Sequence, residues 1–237
     1  MKDFHAHLLP GIDDGSTGVS MSVRMLDIWR DQGWIDEICA TPHFYAEYTT
    51  PERFIRSREN AYEALMAEID GKPGYPPIRL GAEVRFFDGI STAEKLPELC
   101  LQGTNLLLLE MPFTTWTDRM LWEVTEIRRR GLMPVAAHIE RYLRFNPAGT
   151  IRRFMDQDVL IQCNADFFLS RRTSGKALRM LKEERIHFIG SDAHNTDTRS
   201  PNIAAALEHI RKKLGNDAID RLVVLCNLIG ASEDVFL

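Results

Sequence analysis

Seven short apolar runs punctuate the chain, and their spacing restricts the fold more than any other feature. They are DFHAHLL (3–9), EICATPHF (37–44), IRLGAEVRF (78–86), NLLLLEMP (105–112), MPVAAHIE (133–140), VLIQCNADF (159–167) and HFIGSDAH (187–194), with starts 34, 41, 27, 28, 26 and 28 residues apart. Most are continuously apolar rather than alternating, the pattern of strands buried on both faces of a parallel sheet. The segments Ser20–Gln32, Pro51–Ile69, Asp118–Arg130, Pro147–Gln157 and Ser174–Glu184 carry apolar residues at three and four spacing with charges between, as sheet-covering helices do. A strand then a helix at this cadence predicts a barrel-like β/α arrangement, with a doubly wound open sheet as the alternative. Gly71–Pro77 reads as a long turn, and Asn216–Leu237 as a final packing helix plus a short tail.

Bulk properties narrow the function classes. The 237 residues are 44% hydrophobic, enough for one large α/β domain spanning 1–237. A net charge of -5 gives no global basic field, so nucleic acid is not an expected partner. Cys39, Cys100, Cys163 and Cys226 are scattered without CxxC spacing and are expected as reduced, buried thiols of a cytoplasmic protein. None is followed six positions later by arginine, so a cysteine-based phosphate-cradling loop is absent. The first run starts too early for a signal peptide, and no apolar run is long enough to span a membrane.

Every run but the sixth ends in side chains that ligate metals: His5 and His7, His43, Glu83, Glu110, His138, then Asp192 and His194. In parallel α/β folds such ends converge at one edge of the sheet. The two histidines of an HxH pair on a strand point to the same face and can grip one ion, and Asp192-Ala193-His194 repeats that spacing. Any one histidine alone reads as an ordinary hydrogen-bonded residue. Glu110, however, closes the apolar run NLLLLEMP, where an unpaired carboxylate is costly to desolvate and a cation would offset the cost. Eight or nine nitrogen and oxygen ligands without sulfur exceed what one ion uses and suit two or three Mn, Fe or Zn ions sharing a carboxylate. Such clusters hold a phosphate oxygen and lower the pKa of a bound water, the chemistry of phosphoester hydrolysis.

Arg141 and Arg199 stand just beyond metal-bearing strand ends, where a guanidinium can bind phosphate oxygens bidentately. Asp14, in the GIDDG turn, is a candidate for a third-ion ligand or for the acid that protonates a leaving group. Asp13 beside it either shapes the turn or orients a ligand. Phe44, Tyr45, Tyr48, Phe86, Phe87, Phe113 and Trp116 fall near the rim, and some of them are available to stack on an aromatic substrate.

The segments HAHLLPGIDDG, ATPHF, GAEVRF, LLLEMPF, AHIERY and GSDAHNTDTRSP, in that order, resemble the PHP (polymerase and histidinol phosphatase) metallophosphoesterases. Within them, the chain is most similar to the Mn-dependent bacterial protein-tyrosine phosphatases of the CpsB/YwqE type, from capsule and exopolysaccharide operons. The resemblance implies a distorted seven-stranded (β/α) TIM-like barrel with a trinuclear site. It implies His5, His7, Glu83 and Asp192 around one ion, Glu83, Glu110 and His138 around a second, and His43 with His194, assisted by Asp14, around a third. It implies Arg141 and Arg199 on the substrate phosphate, Mn ahead of Fe or Zn, and as partner a phosphotyrosine protein such as a tyrosine kinase of polysaccharide export. Other PHP branches carry a further histidine after the HxH pair; the aspartates here favour the tyrosine-phosphatase branch. Ile139 stands where relatives read proline. The competing readings are a phosphatase for a small phosphomonoester such as histidinol phosphate, and a catalytically silent regulatory protein of the same fold.

Overall fold

The computed structural model describes residues 1–230. Its nine strands are β1 (Lys2–Ala6), β2 (Glu37–Ala40), β3 (His43–Phe44), β4 (Ile78–Leu80), β5 (Glu83–Arg85), β6 (Leu106–Glu110), β7 (Met133–Ala136), β8 (Leu160–Asn164) and β9 (Phe188–Gly190). All pairings are parallel, in the orders β1-β2-β4 and β3-β5-β6-β7-β8-β9. The two orders arise because the second and third sequence runs each break once, at Thr41-Pro42 and at Gly81-Ala82. Pro42 has no N–H to give a ladder. The break is local: Gly81 N–H still donates to Ala40 O (2.9 Å) and Glu83 N–H to Pro42 O (3.0 Å).

Seven strand positions therefore curl around, and the last meets the first. Asp192 N–H donates to His5 O (2.8 Å), His7 N–H donates to Ala193 O (2.9 Å), and Ala6 bridges Ala193 in parallel. Phe4 and Phe188 stack beside this seam, ring centroids 3.9 Å apart. Gly190 is required there: a Cβ on it would stand 2.5 Å from the His5 Cβ. The expected distorted β/α barrel is the architecture found.

Helices cover the strands as the periodicity predicts. α1 (Val19–Gln32) buries Ser22, Met25, Leu26 and Trp29, one stripe at three and four spacing. α2 (Pro51–Ile69) starts where Thr50 accepts from Arg53 N–H and proline occupies the first turn. α3 (Asp118–Arg129), α4 (Ala148–Met155), α5 (Ala165–Leu169), α6 (Ser174–Lys182), α7 (Ile203–Leu214) and α8 (Asn216–Gly230) follow. α8 is the expected closing helix; the tail after it lies outside the described residues. No described helix is long and apolar enough to cross a membrane.

Three strand ends differ from the expectation. The fifth run leaves the sheet after Ala136, with His138 in the left-handed region (φ 32°) before a 3-10 turn, Ile139–Tyr142. The sixth run turns helical at Ala165. The seventh ends at Gly190, and Asp192 is left-handed (φ 54°), so Asp192-Ala193-His194 is not the extended pair its spacing suggested. Left-handed non-glycine residues cost free energy and persist where surrounding contacts over-determine them.

Candidate metal centre

Glu83, at the start of β5 and 1% exposed, is the hub of the rim. His5 near the end of β1 and His7 just past it bring their Nε2 atoms to 3.1 Å of each other, each 3.2 Å from Glu83 Oε2. His43, opening β3, sets Nδ1 3.1 Å from the same oxygen. His138 reaches the other oxygen of Glu83 at 2.6 Å and Glu110 Oε1, at the end of β6, at 3.7 Å. Asp192 Oδ1 lies 3.4 Å from His7 Nε2 and 3.6 Å from both His5 Nε2 and His194 Nδ1. Asp14 Oδ1 reaches His194 Nε2 at 3.4 Å and His43 Nε2 at 3.6 Å. All nine side chains singled out in the sequence thus meet at one rim.

Among the described residues, three sets have ligand atoms within 4.8 Å of one another: His7, Asp14, His43 and His194; His5, His7 and Glu83; and His43, Glu83 and Glu110. Where the resemblance joins Glu83 and Glu110 to His138, the third of these sets joins them to His43, with His138 against both carboxylates. Asp192 borders the His5 set.

Three of the inward-facing imidazoles, those of His5, His7 and His194, are held from behind. His7 Nδ1 bonds Asp13 Oδ2 (2.6 Å), and the same oxygen accepts from His43 N–H (2.9 Å). Asp13 is therefore the orienting aspartate of the GIDDG turn and Asp14 the one facing the cluster. The turn closes so tightly that a Cβ on Gly15 would stand 2.4 Å from both the Cβ and the carbonyl oxygen of His7. His194 donates Nδ1–H to Asp192 O (2.9 Å), which leaves Nε2 as a buried lone pair with no partner. His5 Nδ1 faces Gln162 Oε1 at 3.4 Å. Fixing one ring nitrogen so that the other presents its lone pair is how proteins prepare histidines for metal.

Electrostatics divides these groups. Burial alone would push His5 and His7 down, but the charges of Glu83 and Asp192 outweigh it for His5, as hydrogen bonds to Asp13, Asp192 and Glu83 do for His7; both stand above the ordinary histidine value. Burial prevails at His43 and His138, and burial with the charge of His7 holds His194 down to about 4. Against their own burial, Glu83 and Asp192 are held well below the carboxylate range by the surrounding histidines, joined at Asp192 by Arg141. Burial and the charge of Glu83 push Glu110 up to about 7. The facing nitrogens of His5 and His7 need something positive between them. A proton satisfies that pair, whereas a divalent cation satisfies the pair and the Glu83 oxygen together. Imidazoles and carboxylates without thiolate are a donor set for divalent transition ions.

Arg141 and Arg199, each about a third exposed, flank the cluster on one side. Both guanidiniums bond Asp192 Oδ2, Arg199 at 2.8 Å, while Oδ1 of that carboxylate faces the histidines. The four cysteines are free and buried, and burial pushes the Cys100 thiol up to about 12 and that of Cys226 to about 11, leaving them poor nucleophiles.

Sequence reasoning passed over the sixth run, β8, which supplies amides instead of ligands. Gln162 Oε1 accepts from His138 N–H (2.6 Å), Gln162 Nε2 donates to Asn164 Oδ1 (3.0 Å), and Asn164 Nδ2 donates to Asp192 Oδ2 (2.9 Å). Q-x-N has the same two-residue spacing as H-x-H, which is the signal that was available. Asp3 was also missed. It is wholly buried and accepts from Trp29 Nε1 (2.9 Å), Ser191 N–H (2.8 Å) and His5 N–H (3.3 Å), tying the first strand to the segment that carries Asp192.

A parallel β/α barrel with a histidine and carboxylate cluster at its C-terminal rim, flanked by two arginines, defines a class of metal-binding phosphoester chemistry. The chain belongs to the CpsB/CapC family of capsular polysaccharide synthesis, whose pattern it matches over residues 1–227. It is similar to the tyrosine-protein phosphatase CpsB of Streptococcus agalactiae, 26% identical over 94% of this chain and 95% of that protein. It is similar too to the tyrosine-protein phosphatase YwqE of Bacillus subtilis, 26% identical over 100% of this chain and 94% of the other. Among crystal structures of YwqE and of Streptococcus pneumoniae CpsB, described as unique metal-dependent tyrosine phosphatases, one superposes with a TM-score of 0.85. It is 25% identical and covers 100% of this chain and 96% of that one.

Proposed function

We propose that this chain, as one metallophosphatase domain over 1–237, is a metal-dependent protein-tyrosine phosphatase acting in capsule or exopolysaccharide biosynthesis. The observation that carries the reading is the Glu83 hub, where four histidines converge on one buried carboxylate with two guanidiniums alongside. His5, His7, His43, Glu83, Glu110, His138, Asp192, His194 and Asp14 would hold two or three divalent ions, Mn ahead of Fe or Zn. Ions bound there supply Lewis acidity toward a phosphate oxygen and lower the pKa of the attacking water.

The chain's own groups do the rest. Arg141 and Arg199 exchange Asp192 Oδ2 for phosphate oxygens and offset charge in the transition state. Asp192 then keeps Oδ1 toward the histidines. Asp13, Gln162 and Asn164 hold ligands in orientation. Asp14, 64% exposed at the mouth of the cluster, would help hold a third ion or hand a proton to the departing phenolic oxygen. The relatives' names support tyrosine phosphate as the substrate class and capsule synthesis as the setting; a tyrosine kinase of polysaccharide export as the phosphorylated partner and a cytoplasmic location complete the proposal.

The test is turnover by the purified, Mn-loaded chain of a phosphotyrosine peptide, a phosphoserine peptide and histidinol phosphate. Preference for the first is expected, with a His5→Ala/His7→Ala double variant inactive. Equal or better turnover of histidinol phosphate refutes the tyrosine assignment, and wild-type activity no higher than that of the double variant refutes the enzyme.

A further inference from the structure

Beside the cluster a cleft of about 400 Å³ opens between the GIDDG turn, the exit of β3 and the start of α2. Its walls include Ile12, Asp14, His43, Tyr45, Tyr48 and Phe54, and it shares His43 and Asp14 with the metal rim. No lysine or arginine lines it. Both guanidiniums suited to phosphate stand instead at Asp192 Oδ2. Charge therefore partitions the site: the Asp192 side suits a dianion, and the carboxylate-bearing cleft suits an uncharged group attached to it.

The cleft walls are aromatic in an ordered way. Tyr45 stacks on His43 at 4.9 Å and 24°, and the Arg85 guanidinium lies 5.5 Å from its centroid. Tyr45 is thereby braced, and it in turn braces Tyr48 edge to face at 6.0 Å. Tyr48 is 84% exposed, so its ring is free to receive another. Of the other aromatics near the rim, Phe44, Phe86 and Trp116 are buried in the core. Phe113, 38% exposed, stacks on His138 on the opposite flank.

Resting on the phosphatase reading above, we infer that this cleft is the binding site for the aromatic ring of the phosphotyrosine, with Tyr48 as the residue that stacks on it. An aryl phosphate lying across the rim, phosphate toward Arg141 and Arg199 and ring against Tyr48, carries its bridging oxygen past Asp14. Asp14 is the carboxylate common to the cleft and the metal rim. Selectivity for aryl over alkyl phosphates resides in this wall, because an alkyl group has no π-face to stack.

The test compares kcat/KM for phenyl phosphate and ethyl phosphate in the Mn-loaded wild type and in Tyr48→Ala, Tyr48→Phe and Phe113→Ala. Tyr48→Ala is expected to lower the aryl-to-alkyl ratio about fivefold, mainly through KM, in the range of one aromatic pair. Tyr48→Phe is expected to restore the ratio, which a purely structural defect would not do. An unmoved ratio in Tyr48→Ala, or the same fall in Phe113→Ala instead, overturns the ring site while leaving the phosphatase standing. Hydrolysis of neither ester by the wild type overturns the phosphatase, and the ring site with it.

Discussion

Replacing Gln162 by leucine tests a part of the centre that orients ligands without binding metal. The substitution keeps side-chain volume and removes the amide, so it opens little cavity. It strips His138 N–H of its acceptor at 2.6 Å and Asn164 Oδ1 of its donor at 3.0 Å, both buried. Each orphaned group costs about 1–3 kcal/mol, giving roughly 2–6 kcal/mol together. At about 2–4 °C per kcal/mol for a chain of this length, the metal-free protein should melt roughly 4–24 °C lower. His138 is left-handed and Asp192 is anchored through Asn164, so both should drift from their ligand positions. Divalent-ion affinity should then fall about 10- to 100-fold, the usual cost of losing a ligand's orienting partner. Thermal unfolding in chelator and Mn titration against a competing chelator measure the two effects separately. A melting shift under about 2 °C together with affinity within about twofold of wild type would refute the orienting role.

Three further substitutions probe other links. Gly15→Ala drives a methyl to 2.4 Å from His7 Cβ and backbone oxygen, which have no room to yield; metal content should collapse while an Ala at Gly149, open on all sides, changes nothing. Arg199→Ala should lower kcat/KM on the order of a hundredfold with metal content near wild type; loss of metal would mean that its bond to Asp192 supports the ligands instead. Glu37 opposes burial through ion pairs with Arg79 and Lys2 that hold its carboxyl below the ordinary 4.5. A depressed carboxyl stabilises the fold above its unfolded value and loses that contribution as pH falls through its folded value, so Glu37→Gln should flatten the acid side of a urea-midpoint profile. An unchanged slope would show the ion pairs to be inert.

Much of the centre was legible because its chemistry is local in sequence. His5 and His7 announce a shared face by spacing alone, and the Glu110 carboxylate is conspicuous at the end of LLLLE. Gln162 and Asn164 carry no such signal: an amide within an apolar strand is as easily a core residue satisfied by backbone. Their partners, His138 and Asp192, lie 24 and 28 residues away. The two aspartates of the turn are indistinguishable as letters. Only the fold turns Asp13 onto His7 and leaves Asp14 facing the mouth.

The sequence by itself determined the β/α cadence, the residue types at six strand ends and the absence of a cysteine mechanism, because each depends on periodicity or spacing within a few residues. The tertiary structure alone decided that the strands close through Asp192 and His5, and that the second and third runs break at Pro42 and Gly81. It also split the two oxygens of Asp192 between histidines and arginines. The closure depends on backbone groups whose partners lie more than a hundred residues away, and the breaks and the Asp192 split depend on contacts between different strands and loops, none of which a local pattern encodes.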